Sequence, residues 1–198
     1  MSLAHAVILA GGAGTRLGGV RKADLRVGGQ RLLDRVATAM GPVEAPLLIS
    51  TGPSALKLAL PAGAVAVPDL GDAYAGPLAG LQAALANLRA AGVATGLLIS
   101  VAVDTPFLPA DFIGRLIAGL GDAPCAYPAW GEAFYPPNAV WRIEALVEVI
   151  AGDLSSPKAL QQALGAKRID WSDAAARDPF ANLNTLIDLM ELQRRAQA

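Results

Sequence analysis

The most constraining feature of the chain is a continuous apolar run, Ala4 to Ala10, that ends abruptly in Gly11-Gly12-Ala13-Gly14-Thr15-Arg16-Leu17-Gly18-Gly19. A short run without alternation reads as a strand buried on both faces, the pattern of a parallel sheet. The five glycines that follow relieve the backbone of side chains, so successive N–H groups can close on a ligand such as a phosphate. Arg16 and Lys22 add positive charge to that loop. Hydrogen bonds to charged groups contribute roughly 1.5–3 kcal/mol each, so a few of them hold a triphosphate. The alternative is a glycine-rich turn with no ligand. Two other phosphate loops fit poorly. A P-loop needs G-x-x-x-x-G-K-[ST], whereas Gly19 is followed by Val20-Arg21-Lys22-Ala23; a dinucleotide loop needs G-x-G-x-x-G, whereas Gly18 comes one residue late. That second class also needs an acidic residue closing the second strand, where Ser50-Thr51 stands.

The rest of the chain repeats the strand-then-helix rhythm. Arg31 to Met40 has helical apolar spacing and stops at Gly41-Pro42; Pro46 to Ser50 and Ala64 to Val67 read as strands, with a short helix expected over Ser54 to Leu60 between them. Gly76-Pro77 opens a helix that runs through Ala91 to Gly92, since proline suits the first helical turn. Gly96 to Val103 is the fourth strand expected, stopping at Asp104, and Pro109 to Leu120 is a helix. Pro124 to Trp141 reads as a strand, a turn at Gly131-Glu132 and a return strand. Helices are expected at Arg142 to Ile150 and Pro157 to Leu164, a strand at Arg168 to Trp171 and a last helix from Thr185. This alternation predicts one α/β domain over residues 1–198, with a mainly parallel sheet, an antiparallel addition and helices on both faces.

Composition removes several chemistries. His5 is the only histidine and reads as a strand-edge residue; no serine sits in a G-x-S-x-G turn, so a Ser-His-Asp hydrolase drops out. Cys125 is the only cysteine, which excludes an intramolecular disulfide or a cysteine metal cluster and suits a reducing compartment. A net charge of −1 gives no global field for nucleic acid, although Arg16, Arg21, Lys22, Arg26, Arg31 and Arg35 form a local cationic patch suited to a small polyanion. No apolar run approaches the roughly 18 residues of a membrane span. The N-terminus carries no basic region before its apolar stretch, so no signal peptide is expected and the expected location is cytoplasmic.

Four blocks then carry a resemblance. Leu9-Ala10-Gly11-Gly12 with Arg16-Leu17-Gly18-Gly19-Val20-Arg21-Lys22 is similar to the L-A-G-G-x-x-x-R-M-G-G-x-D-K pattern of molybdenum cofactor guanylyltransferases. Asp69 precedes Tyr74-Ala75-Gly76-Pro77-Leu78-Ala79-Gly80, which resembles that family's G-P-L-A-G. Val103-Asp104-Thr105-Pro106-Phe107 resembles its C-D-[TM]-P-[FY], and Phe180-Ala181-Asn182-Leu183-Asn184-Thr185 its F-x-N-[VIL]-N-T-P. The blocks stand in family order across nearly the whole chain. The resemblance implies a Rossmann-like nucleotidyltransferase (nucleotide-diphospho-sugar transferase) fold. It implies transfer of GMP from GTP to molybdenum-bound molybdopterin phosphate, forming the guanine dinucleotide cofactor and pyrophosphate. Related cytidylyltransferases tend to carry L-A-A-G and to lack P-L-A-G, so Gly11 and the Gly76 block favour guanine by resemblance. A cytidylyl or sugar-phosphate enzyme and a non-catalytic nucleotide-binding relic are the rival readings.

Roles follow residue by residue. Asp104 would hold Mg²⁺, which usually takes one or two protein carboxylates and draws its other ligands from phosphates and water; otherwise it starts the turn at Thr105-Pro106. Arg16 and Lys22 would stabilise the leaving pyrophosphate, with Leu9, Ala10, Gly11 and Gly12 cradling the phosphates, or they are solvated surface charges. Asp69, Gly76, Pro77, Leu78 and Gly80 would contact the nucleoside, or supply a turn and a helix cap. Asn182 and Asn184 would offer amides to the acceptor, or cap the last helix. Trp130, Phe134, Tyr135 and Trp141 would form an apolar acceptor pocket, or pack the core. Transient contacts with cofactor-biosynthesis or molybdoenzyme-chaperone proteins are further expectations. Four positions depart from the family pattern: Arg21 replaces an aspartate, Val103 a cysteine, Tyr135-Pro136-Pro137-Asn138 a His-Pro region and Leu186 a proline.

Overall fold

A computed structural model describes residues 3–12, 19–53, 58–71, 76–150, 152 and 154–197. The first strand, β1 (His5–Leu9), is followed by a short 3-10 helix (Lys22–Asp24), a hairpin of β2 (Arg26–Val27) and β3 (Gln30–Arg31), and α1 (Leu32–Met40). Next come β4 (Leu47–Ser50), β5 (Ala64–Val67), α2 (Pro77–Ala90), β6 (Leu97–Ala102) and α3 (Phe112–Leu120). The second half holds β7 (Cys125–Trp130), β8 (Ala133–Phe134), β9 (Ala139–Arg142), α4 (Ile143–Val149), α5 (Pro157–Ala163), β10 (Lys167–Asp170) and α6 (Leu186–Gln197).

The main sheet has the order β10-β7-β9-β6-β1-β4-β5, with β8 attached to β7. Strands β6, β1, β4 and β5 are parallel; β9 runs against both β6 and β7, and β10 is parallel to β7. Along β1 the side chains alternate between two cores, which explains its unbroken apolar sequence. Ala6 and Ile8 meet Leu32, Leu33 and Val36 of α1, Phe112 and Leu116 of α3 and Leu192 of α6. Val7 and Leu9 meet Leu81 and Leu85 of α2, Leu146 of α4 and Leu160 of α5 on the other face.

Several expectations need correction. The hairpin β2–β3 escapes periodicity because each strand has two residues, although Gly28-Gly29 is a two-residue turn signal. The return strand expected up to Trp141 is broken into β8 and β9, because Pro136 and Pro137 have no N–H to give a ladder. Of the helix expected over Ser54 to Leu60, residues 54–57 lie outside the described residues and Leu58 to Leu60 carry no regular structure. Strand β6 ends at Ala102, so Asp104 sits in the turn beyond it, where the Thr105 N–H donates to the Ala102 carbonyl at 3.2 Å. His5 stands at the edge of its strand, as expected, as the first residue of β1.

Candidate active site

Because β1, β4 and β6 are parallel, their carboxyl ends share one edge of the sheet, where α/β folds bind ligands. A cleft of about 280 Å³ opens there. Leu9, Ala10, Gly11 and Gly12 form one wall with Gly76 and Pro77; Ala102 to Thr105 form the floor; Phe134 to Asn138 form the opposite wall; Lys22, Ser50 and Asn182 complete it.

The first wall is built by close backbone approach. A Cβ on Gly11 would lie 2.5 Å from the Gly52 nitrogen, and one on Gly80 would lie 2.4 Å from the Ser50 hydroxyl and 3.0 Å from Leu9 Cδ2. Glycine at these two places lets the loop after β1 lie on the end of β4, and lets the first turn of α2 press onto β1 and β4. The Ala10 N–H donates to the Ser50 carbonyl at 2.9 Å, which fixes the start of the loop.

Charge is concentrated at the junction of floor and wall. The Lys22 ammonium donates to Asp104 Oδ2 at 2.6 Å and to Asn184 Oδ1 at 2.8 Å. The Leu183 N–H donates to the Asp104 carbonyl at 3.0 Å, so the segment before α6 closes on the same turn. Three residues from distant parts of the sequence thus meet in one partly buried cluster. Among the described residues, Asp104 is the one carboxylate that lines the cleft, and no three His, Cys, Asp or Glu side chains converge as a metal cluster. A single hard oxygen donor fits Mg²⁺ bound largely by phosphates and water, and does not fit zinc, which takes three or four protein ligands.

The opposite wall is tied down by side chains. Asn138, buried beneath it, accepts from the Ala102 N–H at 2.8 Å and donates to Thr105 Oγ1 at 3.3 Å. Ser100 Oγ donates to the Pro137 carbonyl at 2.8 Å and accepts from Trp141 Nε1 at 2.9 Å. Gln161 donates to the Pro136 carbonyl at 2.8 Å, and the Tyr135 hydroxyl donates to Asp178. Burial, reinforced by Asp178, pushes the Tyr135 hydroxyl well above the ordinary phenol range.

The anticipated site residues therefore fall into groups. Leu9, Ala10, Gly11, Gly12, Lys22, Gly76, Pro77, Asp104 and Asn182 line the cleft. Asp69, Leu78, Gly80 and Asn184 stand behind it. Asp69 reaches it through Ser50, whose hydroxyl is 3.4 Å from Asp69 Oδ1; burial raises the Asp69 carboxyl above its ordinary range, with the Ser50 hydrogen bond opposing. Arg16 lies outside the described residues. Of the four aromatics expected to form a pocket, Phe134 and Tyr135 line the cleft, whereas Trp141 is fully buried and Trp130 donates to the Ala175 carbonyl at 2.9 Å. Ser50, Thr105 and Asn138 also line the cleft; Thr105 and Asn138 stand in sequence blocks already quoted but without a role, and nothing in spacing or periodicity gives them one.

Residues 6–169 match the family model described as MobA-like NTP transferase domain. Relatives named molybdenum cofactor guanylyltransferase include one from Rhodobacter capsulatus, 36% identical and aligned over 96% of this chain and 94% of its own. Another, from Acidiphilium cryptum, is 37% identical over 93% of this chain and 91% of its own. Among solved structures, molybdopterin-guanine dinucleotide biosynthesis protein A from Archaeoglobus fulgidus superposes with a TM-score of 0.72 at 19% identity, covering 98% of both chains. The 2-C-methyl-D-erythritol 4-phosphate cytidylyltransferase from Thermus thermophilus gives 0.71 at 19% identity, covering 100% of both. These likenesses establish the Rossmann-like nucleotidyltransferase fold.

Proposed function

We propose, from the premise that this chain belongs to the MobA-like NTP transferase family and is a nucleotidyltransferase, that it transfers GMP from GTP to the phosphate of molybdenum-bound molybdopterin. The observation that carries the reading is the Lys22–Asp104 contact of 2.6 Å beside the bare backbone of Gly11 and Gly12. A cation, a carboxylate and a main chain bare of side chains are what a nucleoside triphosphate and its metal require.

In this reading the triphosphate lies along Leu9 to Gly12, with Lys22 and Arg16 on its β- and γ-phosphates. Asp104 would hold Mg²⁺, which when bound withdraws charge from the phosphates. A phosphate oxygen of the acceptor attacks the α-phosphorus; the new P–O bond forms as the bond to the bridging oxygen breaks, and pyrophosphate departs. No side chain has to act as nucleophile, so the chain contributes alignment and charge stabilisation. Lys22 and Arg16 match the negative charge that grows on the leaving group. Asp69, behind Ser50, with Gly76, Pro77, Leu78 and Gly80 at the start of α2, receives the nucleoside. Asn182, which lines the cleft, defines the acceptor side with Phe134 and Tyr135, whereas Asn184 faces Lys22. The names of the relatives and the glycine blocks at Gly11 and Gly76 favour guanine over cytosine.

The test is thermal stabilisation by GTP, CTP, ATP and UTP, each with and without Mg²⁺, because a ligand that binds only the folded state raises apparent stability. A shift selective for GTP and dependent on Mg²⁺ is expected. Selectivity for CTP would overturn the guanine assignment, and GTP binding without pyrophosphate release in the presence of molybdopterin would overturn the transferase reading.

A further inference from the structure

We propose that Asn184 is a positioning residue, which acts on the reaction through Lys22 rather than by touching the acceptor; this deepens the reading above and rests on it. An ammonium group has three N–H donors. Two of those of Lys22 are committed, one to Asp104 Oδ2 at 2.6 Å and one to Asn184 Oδ1 at 2.8 Å. Fixing two tetrahedral N–H directions stops rotation about the terminal C–N bond and so fixes the third. Lys22 lines the cleft; among the described residues the third donor has no protein partner, and in the proposed reading it goes to a phosphate oxygen.

Asn184 is in turn held by its own main chain. Asp188 Oδ2 accepts from the N–H groups of Asn184 at 2.8 Å and Thr185 at 2.7 Å, while the Asp188 N–H donates to Thr185 Oγ1 at 3.2 Å. This is a capping box at the start of α6. Burial opposes ionisation of Asp188, but the two backbone N–H groups, the Thr185 hydroxyl and the charge of Lys22 outweigh it and hold the carboxyl below its ordinary range. One residue earlier, Leu183 is completely buried and its N–H is bound to the Asp104 carbonyl. The start of α6 thus grips both members of the Lys22–Asp104 pair.

A helix cap alone does not require the Asn184 side chain. Thr185 and Asp188 complete the capping box by themselves, so the Asn184 amide is surplus to the helix and is spent on Lys22. It gives the ammonium an anchor independent of Asp104. Asn182, two residues earlier, lines the cleft and Asn184 does not, so the two asparagines divide the work.

The experiment follows the Lys22 ammonium by ¹⁵N–¹H NMR in nucleotide-free protein carrying ¹⁵N-lysine, with the signal assigned by its loss in Lys22→Arg. Hydrogen exchange of that ammonium is expected to be slow in the wild type and about tenfold faster in Asn184→Ala. Turnover should fall about tenfold, in the range seen when a group supporting a reactive ligand is removed, with a smaller change in KM for GTP. Asn184→Asp keeps an oxygen acceptor and should restore slow exchange. Thr185→Ala weakens the cap, so it should lower Tm while leaving the Lys22 signal and turnover as in the wild type. The proposal is overturned if Asn184→Ala leaves the Lys22 signal unchanged, if it raises only the KM for the acceptor, or if Thr185→Ala matches its effect. Absence of any GMP transfer by the wild-type protein would sink the functional reading alone, since the NMR comparison still decides the positioning role.

Discussion

The two walls of the cleft are made in opposite ways. On the side proposed for the nucleotide, shape comes from missing side chains: Gly11 lies against Gly52, and Gly80 against Ser50 and Leu9, at distances that leave no room for a Cβ. On the side proposed for the acceptor, shape comes from added polar side chains. Asn138, Ser100 and Gln161 reach from the strands and α5 to hold a stretch that Pro136 and Pro137 keep out of the sheet. A wall hung from side chains can be reshaped by changing the residues between its pegs. The difference teaches that the two walls are encoded separately in the sequence; if one takes the nucleotide and the other the acceptor as proposed, four substitutions probe that separation.

The largest effect is expected at Lys22. Loss of one transition-state donor typically costs about 10²–10³ in rate, so Lys22→Ala should lose that much turnover while giving a wild-type circular dichroism spectrum. Near-normal turnover would remove the charge cluster from the mechanism. Gly80→Ala should destabilise by about 1–3 kcal/mol, the usual cost of overpacking, and should also reduce the GTP-induced rise in Tm, because α2 must shift off β4. Asn138→Ala leaves the Ala102 N–H without its partner, a loss of about 1–3 kcal/mol for a buried group; denaturant midpoints measure it. Its GTP-induced rise in Tm should stay close to wild type. If that rise collapses as it does in Gly80→Ala, the walls are not independent.

The smallest effect concerns Tyr135. Its hydroxyl titrates higher in the folded protein than in the unfolded chain. A group with a raised folded pKa contributes stability that is complete below its unfolded value, near 10, and is lost as pH climbs from there toward the folded value. Tyr135→Phe should therefore cost about 0.5–1.5 kcal/mol at pH 8, and the gap to wild type should narrow above about pH 10. A gap that is constant from pH 8 to 11 would mean that Asp178 does not hold the hydroxyl.

Much of this architecture is legible in the chain itself. Apolar runs mark β1, β4 and β6, and Gly76-Pro77 marks the start of α2, because burial and φ restrictions are local properties. The glycine wall is partly legible in the same way: its glycines flag possible close approaches, which the fold realises at Gly11 and Gly80 but not at Gly12 or Gly76. The acceptor wall is not, because its meaning lies in partners far along the sequence. Nothing near Asn138 says that Ala102 needs an acceptor, and nothing near Pro136 points to Gln161. The start of α6 shows both cases at once. Thr185-Leu186-Ile187-Asp188 is a readable capping signature, while the use of Asn184 to hold Lys22, 162 positions away, emerges only on folding.

The reversed strand β9 has a practical consequence. It enters the sheet at the edge where β6 and β1 leave it, so the connection from β8 is delivered straight onto the cleft and then pegged by Asn138. A library confined to positions 132–137, with Asn138 retained, would sample new acceptors at constant GTP affinity, and enzymes of altered product range should be recoverable without rebuilding the nucleotide half.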